Sequence, residues 1–422
     1  MTNNKLIKHT KQFEKKIIKL SPNMYSAVGF AASNMHMIEG EKSLTIIDTS
    51  ESTKAADNVL KEFRKISSKP IERIIYTHSH RDHISGAKIF SSNKNIKIIA
   101  SSEFKSDLVD LDENNISPKK ALNRRTQAQF GIGLSIEERV SLGCGPANRP
   151  MEGLGEGYIP PNHLINKNQK INLDGVKAKL ILAPGETQDH MIIWCPKEEV
   201  LFSGDNWYYS FPNLYAIRGT PYRDFQLWAD SLIIMANLKP EVMAPGHTMP
   251  VFGKSKINDI LISTREAILH VIKYTSEGMD SEKKIDDIID TIKLPSHIKD
   301  KPWLEEFYGK LSWSVKAYAT GVLGWYDGNP TNLGTISSKK RASNIANLAG
   351  GIKKLFLEAE KSEDLQWKLE LCDYLITLGE PAENLKINTM TKIAEKEINA
   401  TSRNSYLWEA SKLREKLKNK II

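Results

Sequence analysis

The residues most able to do chemistry fall in one run, Ile74-Ile75-Tyr76-Thr77-His78-Ser79-His80-Arg81-Asp82-His83. A short apolar β-type stretch ends there and delivers three imidazoles and a carboxylate within six positions. Imidazole nitrogens and carboxylate oxygens are favourable donors for zinc and its first-row neighbours. A tight loop can turn several such side chains toward one point, whereas a strand sends alternate side chains to opposite faces. Lone histidines are usually core or surface residues, but four donors at HxHxDH spacing after a β run point to a metal centre. The alternative is a structural metal site; structural zinc favours cysteine, and none lies nearby.

Three more candidates stand at strand-to-loop junctions. His190 ends Ala183-Pro184-Gly185-Glu186-Thr187-Gln188-Asp189-His190, Asp205 ends Phe202-Ser203-Gly204-Asp205, and His247 ends Ala244-Pro245-Gly246-His247. Each alone reads equally well as a ligand or as a turn residue.

The elements that must position these residues follow from periodicity. Met24 to Val28, Met35 to Ile38 and Leu44 to Ile47 read as strands, and Ser52 caps a helix running through Val59, Leu60 and Phe63. Arg73 to Tyr76 and Ile96 to Ala100 are further β runs. Between Ser101 and Asn162 the chain is rich in Gly, Asn, Pro and charge, which predicts an insertion (about 101–165) with one helix near Ala121 to Gln129. Strands resume at Lys170 to Leu173, Lys177 to Leu182, Met191 to Trp194 and Val200 to Phe202. A helix from Asp224 to Leu238 carries Phe225, Trp228, Leu232 and Met235 on one face and leads into a strand at Glu241 to Ala244. Such alternation predicts an α/β sandwich or a doubly wound sheet. Beyond Gly253 strand signals cease and helical patterns take over, including Ile257 to Ser276, Leu365 to Leu378 and Leu407 to Leu417. Two domains are therefore expected, 1–253 and 254–422.

Composition narrows the partners. The 422 residues are 40% hydrophobic, enough for a real core, and carry a formal charge of +8. The lysines are scattered and no basic run is interleaved with aromatics, which disfavours nucleic acid and fits a small anionic substrate or a mildly basic surface. Cys144, Cys195 and Cys372 form no CxxC pair or even framework, so reduced thiols are expected. The N-terminus lacks an apolar leader and no run nears eighteen apolar residues, so a cytoplasmic protein outside the membrane is expected.

Taken in order, the HxHxDH run, His190, Asp205 and His247 resemble the metallo-β-lactamase superfamily, and Leu44-Thr45-Ile46-Ile47-Asp48-Thr49 resembles its early strand ending in aspartate. That resemblance implies the αββα sandwich and two divalent metal ions, in the first instance zinc. One ion would be held by His78, His80 and His190, the other by Asp82, His83 and His247, with Asp205 bridging. Two adjacent cations can share a water and lower its pKa toward neutrality. Asn213 to Asp224 (NLYAIRGTPYRD) is similar to the NLYxLRGxxxRD segment of the metal-dependent alkylsulfatases, and Trp303 to Leu333, ending LGWYDGNPTNL, is similar to their helical dimerisation domain. Arg124-Arg125 through Gly131 and Gly153-Leu154-Gly155 resemble the family's insertion.

The resemblance implies hydrolysis of alkyl sulfate esters, a homodimer formed through the C-terminal helices, and catalytic roles for Asp82 and Asp205. Arg218 and Arg223 would hold the sulfate, since a guanidinium fork meets two oxyanion oxygens at once; the bland alternative is a salt bridge to a carboxylate. Trp207, Tyr208, Tyr209 and Phe211 are either an alkyl-binding wall or simple core. Other readings are a thioesterase, lactonase or phosphoesterase on the same metals, or a non-catalytic assembly protein. The chain departs from the family pattern in having His190 and Asp205 where longer carboxylates are usual, and in stopping soon after the helical domain, where a lipid-carrier-like domain usually follows.

Overall fold

Short apolar runs bounded by polar turns assemble into two sheets in the computed structural model, which describes residues 2–91, 95–106 and 118–421. The first sheet takes its seven strands in chain order: β1 (Lys16–Ser21), β2 (Met24–Val28), β3 (Met35–Glu39), β4 (Leu44–Ile47), β5 (Ile71–Ile75), β6 (Lys97–Ser101) and β7 (His163–Ile165). Its first four strands pair antiparallel and β4 to β7 run parallel. The second sheet holds β8 (Gln169–Leu173), β9 (Val176–Leu182), β10 (Met191–Cys195), β11 (Val200–Gly204), β12 (Val242–Pro245) and β13 (Val251–Phe252), antiparallel except between β11 and β12.

Alternation along each strand decides what the sheets bury. Ile38, Ile47, Ile75 and Ile99 face Leu180, Ile193, Cys195 and Phe202 in the core between the sheets. Their neighbours Met37, Ile46, Ile74 and Ile98 point the other way, under helices α2 (Thr53–Ile66) and α4 (Ala87–Phe90). A six-residue helix, α1 (Asn4–His9), precedes β1, and the one-turn α3 (Arg81–Ile84) lies between β5 and α4. On the far side, Ile192, Trp194, Leu201 and Met243 bury against α7 (Phe225–Asn237) and α8 (Lys254–Asp280). The result is the expected helix–sheet–sheet–helix sandwich followed by helices. Ser52 caps α2 as expected, accepting the Ala55 N–H at 3.1 Å.

The stretch between β6 and β7 carries α5 (Lys119–Phe130) and α6 (Ile136–Arg139). After α8 come α9 (Ile285–Thr291), α10 (Leu311–Leu323), α11 (Ser338–Leu348), α12 (Ile352–Lys361), α13 (Leu365–Thr377), α14 (Glu383–Lys396) and α15 (Ala400–Ile421). The last helix returns to the inserted stretch: Trp408 Nε1 donates to the Ile132 carbonyl at 3.1 Å, and Asn404 Nδ2 to that of Ser141 at 3.2 Å. The segment ahead of α10 is tied to the loop after β11. Ser210 Oγ donates to the Glu305 carbonyl at 3.1 Å and accepts the Tyr308 N–H at 2.8 Å. The segment ahead of α10 thereby braces a loop that leaves the metal cluster. Strands β1, β7 and β13 fall outside the expected runs; β1 is interrupted by Lys16 and Lys19, and the other two span three and two residues. Among the described residues, no helix is long and apolar enough to cross a membrane.

Candidate metal centre

The HxHxDH loop is bent into shape by one buried carboxylate. Asp48 follows β4 with φ +59°, a left-handed backbone that costs a non-glycine residue free energy and so needs surrounding contacts to hold it. Its Oδ1 accepts the Thr77 N–H and its Oδ2 the Thr77 hydroxyl, each at 2.8 Å. The same Oδ2 lies 2.8 Å from His83 Nδ1. Asp48 therefore pins both ends of the loop and turns His83 Nε2 inward. Asp82 and His83 ride on α3, whose first N–H bonds include His83 to the His80 carbonyl at 3.0 Å.

Asp205, just past β11, is the point on which the imidazoles converge. Its Oδ2 is 3.6 Å from His78 Nε2, 3.2 Å from His83 Nε2 and 3.1 Å from His247 Nε2. Asp82 Oδ2 lies 3.6 Å from His83 Nε2 and 3.4 Å from His247 Nε2, and His78 Nε2 is 2.9 Å from His80 Nδ1. Two donor triads result, His78/His80/Asp205 and Asp82/His83/His247, each with its ligand atoms within 4.8 Å of one another. Gly246 permits the approach: a Cβ there would stand 2.2 Å from Asp205 Oδ1. Buried Asp205 Oδ1 and His83 Nε2 have no hydrogen-bond partner. Buried polar atoms are normally paired, and two divalent ions seated in these triads would satisfy them. The donor set fits that cofactor.

The charges on the cluster divide with the triads. Burial holds His78 and His80 well below the usual imidazole range, helped by neighbouring positive charge from His83 on the former and from Arg218 and Arg223 on the latter. Burial also pulls on His83 and His247, but Asp205 and its neighbouring acids outweigh it and push both well above the usual range. Asp205 resists burial in turn, held low by His247, His83 and His78.

Not every sequence candidate lands among the donors. His190 stacks on His78 but belongs to neither triad; its Nε2 accepts the Asp205 N–H at 3.0 Å and its buried Nδ1 meets no partner. It orients the backbone of the shared aspartate. The carboxylate that sequence reasoning passed over is Glu186, four residues upstream: 3% exposed, with Oε1 4.0 Å from His80 Nδ1. Burial pushes its pKa up to about 7 against the opposing pull of Arg223. Arg223 is 5% exposed and its Nη1 lies 2.8 Å from Glu186 Oε1, so the salt-bridge alternative describes it. Arg218 is half-buried, and among the described residues its guanidinium makes no hydrogen bond or ion pair. Of the aromatics, Trp207 and Phe211 are core, while Tyr208 is buried edge-on to the His247 ring. Asp48, and the Ala32 carbonyl 2.8 Å from His247 Nδ1, orient His83 and His247.

Comparison with known proteins agrees with this geometry. Residues 28–247 match the Metallo-beta-lactamase superfamily, and residues 284–416 match the Alkyl sulfatase dimerisation family. The chain is 32% identical to a linear primary-alkylsulfatase of Pseudomonas sp. over 397 residues, covering 91% of this chain and 75% of that one. It is 30% identical to the alkyl/aryl-sulfatase BDS1 of Saccharomyces cerevisiae, covering 94% of this chain but 64% of the longer relative. The solved structure of the stereoselective inverting sec-alkylsulfatase Pisa1 from Pseudomonas sp. superposes with a TM-score of 0.86 at 26% identity, over 98% of this chain and 68% of that one. Sandwich, metal-ligand loops and helical domain together place the chain in the metallo-beta-lactamase superfamily, as a member of its alkylsulfatase family.

Proposed function

We propose that this chain is a binuclear metal-dependent hydrolase that cleaves alkyl sulfate esters to alcohol and sulfate. The observation that carries the reading is the Arg218 guanidinium, unpaired among the described residues, beside two donor triads that meet at Asp205. His78 and His80 would hold one ion, with Glu186 adding a carboxylate on that side; Asp82, His83 and His247 would hold the other, and Asp205 would lie between them. Zinc suits this imidazole and carboxylate set. Bound as a pair, the ions would acidify water and polarise the ester. Arg218 would grip the sulfate through paired N–H donors and meet the charge that grows on its oxygens. Arg223 would act through Glu186 rather than on the substrate, and His190 by fixing Asp205.

The partner of the chain would be a second copy. Val322, Leu323, Trp325 and Leu333, within the stretch that matches the dimerisation family, are 53%, 63%, 76% and 61% exposed, a row of large apolar side chains that a homodimer would cover. Three buried, unpaired cysteines suit the cytoplasmic location expected from the sequence.

The test is to incubate metal-loaded protein with a medium-chain alkyl sulfate, a thioester and a phosphodiester, and to measure inorganic sulfate by ion chromatography. Sulfate release dependent on about two bound ions per chain is expected. Turnover of the thioester or phosphodiester with no sulfate released would move the assignment to another ester. A monomer by light scattering would remove the dimer.

A further inference from the structure

The second triad is backed by a loop that the first does not touch in the same way. Residues 29–34, between β2 and β3, lie across the carriers of Asp82 and His247. The Ala32 carbonyl lies 2.8 Å from His247 Nδ1, and the Ser33 hydroxyl donates to the Asp82 carbonyl. Asn34 gives its N–H to the Gly246 carbonyl at 2.6 Å, and its side-chain amide to the carbonyls of Pro245 and Thr248 at 2.9 and 2.7 Å. Ala32, Ser33 and Asn34 are all buried.

What holds the loop is a buried ion pair that belongs to neither donor triad. Glu51, 4% exposed, accepts the Ala32 N–H on both carboxylate oxygens, at 3.1 and 2.9 Å. Arg149, from the inserted stretch between β6 and β7, places Nε 2.7 Å from Glu51 Oε1, and the two side chains are only 6% and 5% exposed. The insertion touches the same residue again, because a Cβ on Gly145 would stand 2.5 Å from the Ala32 carbonyl oxygen. Ala32 is thus fixed on its N–H by Glu51 and crowded at its carbonyl by Gly145, and that carbonyl sets the His247 ring. Asp48 orients His83 directly; Glu51 would orient His247 at one remove, through the backbone of Ala32.

We propose that Glu51, locked by Arg149, is a positioning residue for the second metal subsite, and that the Gly145 to Arg149 part of the insertion is the scaffold tuning that subsite. The inference rests on the binuclear reading above and adds to it a residue pair and an asymmetry. Groups that orient a ligand are commonly worth 10- to 100-fold in metal affinity, so one of the two binding steps should weaken by about that factor when Glu51 is lost.

The test is chelator-competition titration of zinc into metal-stripped protein, comparing the natural chain with Glu51→Ala, Glu51→Gln and Gly145→Ala, with circular dichroism and melting to check folding. Glu51→Ala is expected to weaken one step and leave the other unchanged. Glu51→Gln, which keeps an acceptor for the Ala32 N–H but loses the charge facing Arg149, should fall between. Gly145→Ala should reproduce the selective loss with Glu51 intact, by displacing the carbonyl. Two unchanged affinities in folded Glu51→Ala would overturn the proposal, as would equal weakening of both steps. Should Glu51→Ala fail to fold, unchanged affinities in both other variants would overturn it. A natural chain that takes up fewer than two ions would instead sink the binuclear reading itself.

Discussion

Arg218 and Arg223 stand five positions apart in the loop between Asp205 and α7, and the family resemblance treats them alike. Their surroundings do not. Arg223 is buried against Glu186, with its Nη1 also donating to the Asn213 carbonyl. Arg218 keeps a half-exposed guanidinium free of hydrogen bonds and ion pairs among the described residues, while its backbone is gripped instead: its N–H donates to Gln129 Oε1 at 2.8 Å. Arg125, also on α5, donates from Nε and Nη2 to the adjoining Ile217 carbonyl at 3.0 and 2.7 Å. A guanidinium buried with a carboxylate has its charge consumed by the fold. One whose backbone is fixed while its head is left unpaired is available to an anion. On the proposed reading, the difference separates a structural cation from a substrate-binding one within a single motif.

The largest effect should come from Arg223→Ala. It strands Glu186 in a buried site, and above pH 7, where that acid is ionised in the natural chain, removing one partner of a buried ion pair costs about 3–5 kcal/mol. Denaturant unfolding of metal-stripped protein measures it; an unchanged midpoint would mean that Arg223 carries no structural load. Arg218→Ala should behave in the opposite way. Its stability should stay within about 0.5 kcal/mol of the natural chain, while kcat/KM on an alkyl sulfate falls by about 10²–10³, the usual worth of a donor aimed at developing oxyanion charge. Full activity in that variant would erase the distinction between the two arginines.

The sandwich was legible because its signals are local and periodic. Ile74 and Ile75 alternate between two cores, and Phe225, Trp228, Leu232 and Met235 recur at helical spacing and are all fully buried. The metal loop was legible because donors crowd into six positions. Glu186 went unread beside His190 because both lie in the same turn and spacing alone cannot say which side chain points inward. A signal was nevertheless present. Ala183-Pro184-Gly185-Glu186 repeats the pattern Ala244-Pro245-Gly246-His247; Pro245 closes β12, Pro184 stands two residues past β9, and in each the glycine lets the turn press close. A Cβ on Gly185 would stand 2.2 Å from Asn206 Oδ1, as one on Gly246 would from Asp205 Oδ1. The fourth residue of each pattern is the one delivered to the cluster. The contacts of Asp48, Glu51 and Ala32 were beyond reach for a different reason, since they join segments separated by 19 to 215 residues.

A pH experiment sharpens the contrast through the partner carboxylate. Burial raises the Glu186 pKa to about 7, so in metal-stripped protein the fold prefers its protonated form. Its contribution is complete below the ordinary carboxylate pKa and is lost as pH rises toward 7. Glu186→Gln removes that titration, and its unfolding free energy should decline less between pH 5 and 7 than that of the natural chain. One proton limits the difference in slope to about 1.4 kcal/mol per pH unit. Arg218→Ala should leave the slope alone, whereas loss of Arg223 should carry the decline to higher pH. A slope that responded equally to both arginines would mean that Glu186 senses them as one field rather than one as its partner.

The smallest expected effect tests how Arg218 is aimed. Gln129 is 1% exposed, and its Oε1 is the acceptor for the Arg218 N–H, so α5 sets where the guanidinium starts from. Gln129→Leu removes that acceptor without touching either arginine. A neutral hydrogen bond of this kind is worth about 1 kcal/mol, so kcat/KM should fall several-fold and melting should shift only slightly. Because the bond positions an anchor and does not join the chemistry, the loss should appear in KM more than in kcat. It should also vanish in the Arg218→Ala background, where nothing remains to be aimed. If Gln129→Leu costs the same with and without Arg218, the inserted helix supports the loop generally, and the free guanidinium owes its placement to something other than the grip on its backbone.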